Sequence, residues 1–322
     1  MYNRQEAIEL MNTWGQQRLP FLFIIDFNAS NVLLYPMDSI PEFIHYSING
    51  VTNSYQEANH SPFSFEAKPV AFEIYERAFQ EVVSELNYGN SYLLNLTFPT
   101  LLGTTLTLKE VFLRSTARYK LWVDPQFVVF SPESFVRIEE GMISSYPMKG
   151  TIDASIPNAR EALLTNPKEQ AEHATIVDLI RNDLSKVATG VKVTDYRYVE
   201  EVQTFKKKLL QVSSKIEGVL PKGYHSQLGD LMFQLLPAGS VTGAPKKKTV
   251  EIIHKAEPYE RGYFTGIFGI FDGYRLDSGV MIRFIENTKG TLTFKSGGGI
   301  TAQSDPNAEY RELIDKVYVP FV

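Results

Sequence analysis

The sequence predicts an α+β fold built on antiparallel sheets, and three observations carry that prediction. The first is GYFTGIFGIFDGYRLDSGVMIRFIENTKGTLTFKSGGGI at residues 262–300, which alternates apolar and polar residues and turns at Asp272-Gly273 and Lys289-Gly290. Secondly, segments of helical period are scattered among such hairpins instead of alternating with single strands, which argues against βαβ winding. Thirdly, no internal repeat, low-complexity tract or Pro/Gly/Ser linker divides the chain, whose 322 residues suffice for one large domain or two.

The elements follow in order. PFLFIIDFNASNVLLYP reads as two strands around an Asn-Ala-Ser-Asn turn. Residues 48–68 are polar and predict a loop. KPVAFEIYERAFQEVVSELNYG places Phe72, Tyr75, Phe79, Val82 and Leu86 at the helical period, with Gly89 as a stop. NSYLLNLTFP has strand character, TLKEVFLRSTARY helical character, and residues 121–151 read as a strand meander. A long helix comes next, with Asn166 as N-cap, Pro167 at its first position and Gly190 closing it. Further strands are expected from about 191 to 220, a helix from near Pro245, the hairpins above, and a last helix from about Pro306.

Composition narrows the functional classes. Hydrophobic residues at 43% and charged residues at 21% are ordinary for a soluble globular protein. A net charge of −5 disfavours a general binder of nucleic acid or anionic membrane. An anionic small molecule stays compatible, since a metal, one Arg and backbone amides reverse the field locally. Cysteine is absent, which removes disulfides, thiolate metal sites and a Cys nucleophile and fits a reducing cytoplasm. MYNRQEAIELMNTWGQQRLP lacks the apolar core of a signal peptide, and no apolar run approaches the roughly 20 residues needed to cross a bilayer.

Two pairs of glutamates, Glu169/Glu172 and Glu309/Glu312, each have the i, i+3 spacing of one helix face. Turned toward each other they would form a four-carboxylate cage suited to a hard cation such as Mg²⁺. The alternative is plain: Glu169 as the return arm of a cap on Asn166, and Glu309/Glu312 as a solvated face. Lys149, in YPMKGT at a strand end, is either a surface charge or a nucleophilic amine. A free lysine titrates at about 10.4, so the second role needs burial or a neighbouring cation. GSVTGAPKKK (239–248) fails as a phosphate loop, because three residues and not four separate Gly239 from Gly243 and no Lys-Ser/Thr follows directly. It leaves Ser240 and Thr242 hydroxyls on a Gly-rich turn at a helix N-terminus. Gly297, Gly298 and Gly299 are either a flexible hairpin end or a set of amides wrapped around a carboxylate. Arg283, among apolar neighbours, needs a partner if buried, and a carboxylate is one.

Taken in order, SPESF, PMKGT, AEHATIVDLIRND, GSVTGAPK, MIRF and SGGGITAQSDPNAEYRELIDK resemble the chorismate-utilising enzymes: anthranilate, aminodeoxychorismate, isochorismate and salicylate synthases. The match runs from about Ser131 to the C-terminus, and NSYLLNLTFP extends it upstream. The resemblance implies one catalytic domain over residues 1–322, with a shortened N-terminal region over about 1–65, so feedback inhibition by tryptophan is not assumed. It implies two large antiparallel sheets packed face to face, helices outside, and the site between the sheets.

Within the family, Lys in PMKGT is similar to the aminodeoxychorismate branch, where anthranilate synthases carry Ala. Carried over, Lys149 attacks C2 of chorismate as the 4-hydroxyl leaves, and ammonia then displaces it at C4. Glu133 matches the acid/base residue. Glu172 and Glu312 match direct Mg²⁺ positions, with Glu169 and Glu309 contributing directly or through water. Lys316 matches a carboxylate-binding lysine, Arg283 with Gly297–Gly299 the grip on the enolpyruvyl carboxylate, and Ser240 with Thr242 the lining of the ring pocket. Asn95-Leu96 also resembles the aminodeoxychorismate group. Leu93 aligns with the lysine that activates water in the isochorismate and salicylate enzymes, so water attack is disfavoured. Two departures stand out: Gln211 aligns with a histidine of anthranilate synthases, and Phe264 with a tyrosine expected beside Arg283, while Tyr263 points to the opposite face if the strand is regular. The resemblance thus implies a cytoplasmic synthase subunit that makes 4-amino-4-deoxychorismate for p-aminobenzoate and folate, with ammonia from a separate glutamine amidotransferase. The rivals are anthranilate synthase component I and a catalytically silent chorismate-binding subunit.

Overall fold

The computed structural model describes residues 1–55, 61–203 and 208–321. Asn3 and Glu6 cap each other's backbone and start α1 (Arg4–Gln16), a helix to which the sequence reading assigned no element. FLFII becomes β1 (Phe21–Ile25), paired across the expected turn with β2 (Val32–Pro36). All of β1 is buried because both its faces are covered: Phe21, Phe23 and Ile25 pack with helices, Leu22 and Ile24 with the second sheet.

The loop expected over 48–68 is replaced, where described, by the end of β3 (Ile44–Ile48), by β4 (Val51–Thr52) and by β5 (Phe65–Lys68). β4 and β5 expose one face, so their composition imitates a loop. Residues 56–60 of that stretch lie outside the described residues. α2 (Phe72–Asn87) buries Tyr75, Phe79, Val82 and Leu86 on the predicted stripe, and β6 (Leu93–Thr104) follows. α3 (Leu108–Arg114), capped by Thr107 and Glu110, is shorter than expected because Ser115 turns extended and bridges to Phe321.

The strands expected over 121–151 are β7 (Tyr119–Val123), β8 (Phe127–Ser131), β9 (Ser134–Glu139), β10 (Met142–Ser145) and β11 (Met148–Asp153). They are no single meander: β7 and β8 lie in one sheet, β9 to β11 in the other. α4 (Ala159–Thr165) precedes α5 (Pro167–Leu184), where the Asn166 side chain accepts the Glu169 amide at 3.2 Å. α5 stops before Gly190, which instead opens β12 (Thr189–Gln203) at φ 62°. Then come β13 (Lys208–Val219), α6 (Leu228–Leu235), β14 (Gly243–Ala244) and α7 (Lys246–Ala256). β15 (Ile267–Phe271) with β16 (Leu276–Val280), and β17 (Phe284–Thr288) with β18 (Thr291–Ile300), form the predicted hairpins. α8 (Pro306–Asp315) ends the series, capped by Asp305.

Among the described residues these strands make two nine-stranded antiparallel sheets, β11-β13-β10-β9-β16-β15-β1-β2 with β12 on β13, and β14-β6-β18-β17-β8-β7-β3-β4 with β5 on β6. One apolar layer joins the sheets through Leu22, Ile24, Phe268, Tyr46, Leu121 and Phe284. The outer face of the first sheet packs on α1, α5 and α6, and that of the second on α2, α3, α7 and α8. Two of the connections at which the chain changes sheets lie between β8 and β9 and between β16 and β17. The two crossings are tied together: Val280 N donates to Glu133 O at 3.1 Å, and Phe130 N to Arg283 O at 3.0 Å.

Candidate active site

Glu133 and Arg283 therefore occupy the two adjoining crossings, which explains how residues far apart in sequence reach one cleft. Burial pushes the Glu133 carboxyl up, outweighing the hydrogen bond donated by the Ser240 hydroxyl and the positive charges of Lys149 and Lys316. A shift in this direction is the one that a general acid needs. Ser240 comes from a helical turn at Gly239–Val241, not from a helix N-terminus; α7 begins only at Lys246. Thr242, fully buried, donates its hydroxyl to Ala238 O at 2.8 Å within its own turn.

Lys149 lies on β11 where the register against β13 shifts, a bulge centred on Gly150 at φ 70°. Bulges re-aim side chains. Gly150 is needed twice over, since a β-carbon there would also stand 2.9 Å from Leu163 and 3.1 Å from Glu169 Oε2. The Lys149 ammonium lies 3.6 Å from Glu172 Oε2 on α5. On its other side is the glycine run of β18. A β-carbon on Gly299 would lie 3.7 Å from Lys149 Nζ and 3.2 Å from Leu93; one on Gly298 would lie 3.3 Å from Glu309 Oε2 and 3.5 Å from Glu312 Oε1.

The glycines are no hairpin end. They lie mid-ladder, paired to Thr97, Leu96 and Asn95 of β6. Gly297 packs so closely that a β-carbon would meet Leu96 O at 2.3 Å. Along the other edge β17 begins only at Phe284, opposite Lys295, so residues 296–300 have no strand there. Lys316 fills part of that edge, donating to Gly297 O at 2.8 Å and pairing with Glu312 at 2.7 Å, while its own carbonyl accepts Arg283 Nη1 at 2.5 Å. Burial pushes the Lys316 ammonium down, against the pull of Glu312. Asn95 enters through its backbone, donating to Thr242 O at 2.9 Å and accepting from Arg261 at 2.6 Å.

The carboxylate pairs thus flank one cleft from α5 and α8, with Lys149 and the glycines between them. Among the described residues no three acidic or histidine side chains converge tightly enough to chelate an ion. Glu172 and Glu312 are each engaged by a lysine ammonium. The donor set nevertheless suits Mg²⁺: it is all oxygen, and Glu309 is buried to 3% exposure. Its negative field is felt behind it, where burial and then the charges of Glu309 and Glu312 push the Tyr75 hydroxyl up. The two pairs lie on either side of Lys149 and the glycine run and form no closed cluster among the described residues.

Residues 261–266 are turns and not the regular strand assumed for Tyr263 and Phe264. Both rings join the same inter-sheet layer, Tyr263 at 5.1 Å from Phe127 and Phe264 at 5.8 Å from Phe284. The aromatic ring over Arg283 is instead Tyr318, at 4.5 Å. Gln211 pairs with Thr151 on β11 and Glu200 on β12. Tyr318 and Arg261 went unnoticed in the sequence, where only the position of Tyr318, two residues past Lys316, gave any signal; Tyr75 was read only as part of a helical stripe.

Residues 39–321 match the family described as chorismate binding enzyme. This chain belongs to that family. A Haemophilus influenzae protein described as an uncharacterized PabA-like protein is 50% identical over 98% of this chain and 97% of its own length. Aminodeoxychorismate synthase component 1 of Salmonella typhimurium is 37% identical over 60% of this chain, but only 43% of that protein is covered. The menaquinone-specific isochorismate synthase MenF of Escherichia coli superposes with a TM-score of 0.75 at 16% identity, covering 98% of this chain and 81% of that one, which establishes the fold alone. As a chorismate-binding enzyme, the chain has its predicted two-sheet architecture. Among the described residues, no helix is long and apolar enough to cross a membrane.

Proposed function

We propose that the chain is the synthase subunit of an aminodeoxychorismate synthase, converting chorismate and ammonia to 4-amino-4-deoxychorismate on the route to p-aminobenzoate. One observation carries the reading: a bulge aims the Lys149 amine at the glycine run, on a side where Leu93 supplies only methyl groups. An amine there is a nucleophile, and nothing beside it at Leu93 activates water.

Glu172 and Glu312 would hold Mg²⁺ directly, with Glu169 and Glu309 beside them or through water, and the ion would supply positive charge against the ring carboxylate. Arg283, Lys316 and the open edge of Gly297–Gly299 bind and orient the enolpyruvyl carboxylate. Once its ammonium has given up a proton to solvent, the Lys149 nitrogen bonds to C2 while the ring double bond shifts and the C4–O bond breaks, and Glu133 gives its proton to the departing hydroxyl as water. Ammonia then bonds to C4, the double bond shifts back, C2 releases Lys149, and the surplus amine proton returns to Glu133. The ammonia comes from a separate glutamine amidotransferase subunit.

Incubation with chorismate, Mg²⁺ and ammonium is expected to give 4-amino-4-deoxychorismate without pyruvate. Intact-protein mass spectrometry without ammonium is expected to find chorismate less one water on Lys149, and nothing on the Lys149→Ala variant. Release of anthranilate or pyruvate would overturn the proposal.

A further inference from the structure

Arg283 donates to the Lys316 carbonyl, and among the described residues it has no carboxylate partner. A single hydrogen bond leaves the guanidinium plane free to turn about it. Tyr318 lies over the guanidinium. Its ring lies 4.5 Å from the guanidinium carbon, and its amide donates to the same Lys316 carbonyl at 3.1 Å. One carbonyl therefore fixes both partners.

The segment that carries Tyr318 is anchored on both sides. Val317 is buried in the outer layer of the second sheet. Thr116 N donates to Pro320 O at 2.7 Å, and Phe321 bridges Ser115 and lies under the Arg114 guanidinium at 5.0 Å. Tyr318, between these anchors, is 43% exposed, so its ring is spent on covering Arg283 and not on filling the core. A guanidinium grips a carboxylate through its in-plane edge, so whatever sets the plane sets the direction of approach.

We infer that Tyr318 is a positioning residue for Arg283: its stacked ring locks the guanidinium plane, so that the N–H edge not bonded to Lys316 faces a substrate carboxylate. This rests on reading Arg283 as the carboxylate grip. The test is the dissociation constant for chorismate with Mg²⁺, measured by calorimetry, for wild type, Tyr318→Leu, Tyr318→Phe and Arg283→Gln. Tyr318→Leu is expected to weaken binding roughly three- to thirtyfold while the melting temperature stays unchanged, and Tyr318→Phe to restore wild-type binding. Wild-type affinity in Tyr318→Leu, or equal weakness in Tyr318→Phe, overturns the inference while Arg283→Gln still loses the ligand. If Arg283→Gln also binds as wild type, the carboxylate-grip reading falls with it.

Discussion

Arg261 and Arg283 are both drawn out of water beside the second sheet, and they are finished in opposite ways. Arg261, at 3% exposure, spends every donor on the protein: two on Glu257, the others on Val241 O, Asn95 O and the Thr265 hydroxyl. Arg283 has the Lys316 carbonyl and a ring. The cations titrate accordingly: burial pushes Arg261 down, but the Glu257 charge, its hydrogen bond and Tyr259 together push it up, while burial pushes Arg283 down. Their neighbouring carboxylates repeat the contrast. Glu257 is saturated by Arg261 and by the Thr97 amide and hydroxyl, whereas Glu133 is held up by burial with Ser240 as its side-chain donor. A saturated buried ion is architecture: Arg261 ties together the Asn95 strand, the Val241 turn and the Thr265 turn that frame the cleft. A buried ion with donors left over is a place for a ligand.

The largest effect that sharpens this contrast is kinetic. Glu133→Gln is expected to lower kcat by about 10²- to 10⁴-fold, the usual range for a general acid. Its stability should match or exceed that of the parent at pH 7. The folded carboxyl titrates above its unfolded value, so its stabilising contribution is complete only below the unfolded value and is lost as pH rises through the folded one. A Glu133→Gln protein with parental kcat would place Glu133 with the architecture. The mirror experiment is Arg261→Met, which strands Glu257 in the interior and is expected to cost about 3–5 kcal/mol in urea unfolding. An Arg261→Met protein as stable as the parent would dissolve the distinction from the other side.

Much of this site was legible because its signals are local. The i, i+3 spacing of Glu169/Glu172 and Glu309/Glu312 needs only a helix, and α5 and α8 begin at caps that Asn166-Pro167 and Asp305-Pro306 announce. The sheet crossings were not legible. Alternation reveals a strand and its two faces, but not which sheet the strand joins, so β7 to β11 read as one meander. For the same reason Gly297–Gly299 suited either a hairpin end or an anion grip until the register with β6 and the late start of β17 were known. Tyr318 belongs to no periodic element, and its stack on Arg283 depends on anchors at Ser115 and Thr116, some two hundred residues away in sequence. Short polar edge strands at residues 51–52 and 65–68 failed because half of each strand meets solvent.

Ser240 offers the finest test of whether Glu133 behaves as a ligand-facing ion. The Ser240 hydroxyl donates to the Glu133 carboxylate, and this bond favours the ionised form, pulling against the burial that favours the protonated one. Removing the donor leaves the burial in place, so Ser240→Ala is expected to move the Glu133 titration further up. If Glu133 must be protonated to release the hydroxyl, activity falls on the alkaline side as that proton is lost. The alkaline limb of kcat against pH should therefore shift to higher pH in Ser240→Ala, with a modest change in kcat at the plateau. An acid limb that shifts to higher pH while the alkaline limb stays fixed would mean that the carboxylate form does the work, and a profile with neither limb moved would mean that other groups set it. Either result would move Glu133 out of the acid's role while leaving the two-sheet cleft and the Lys149 amine where they are.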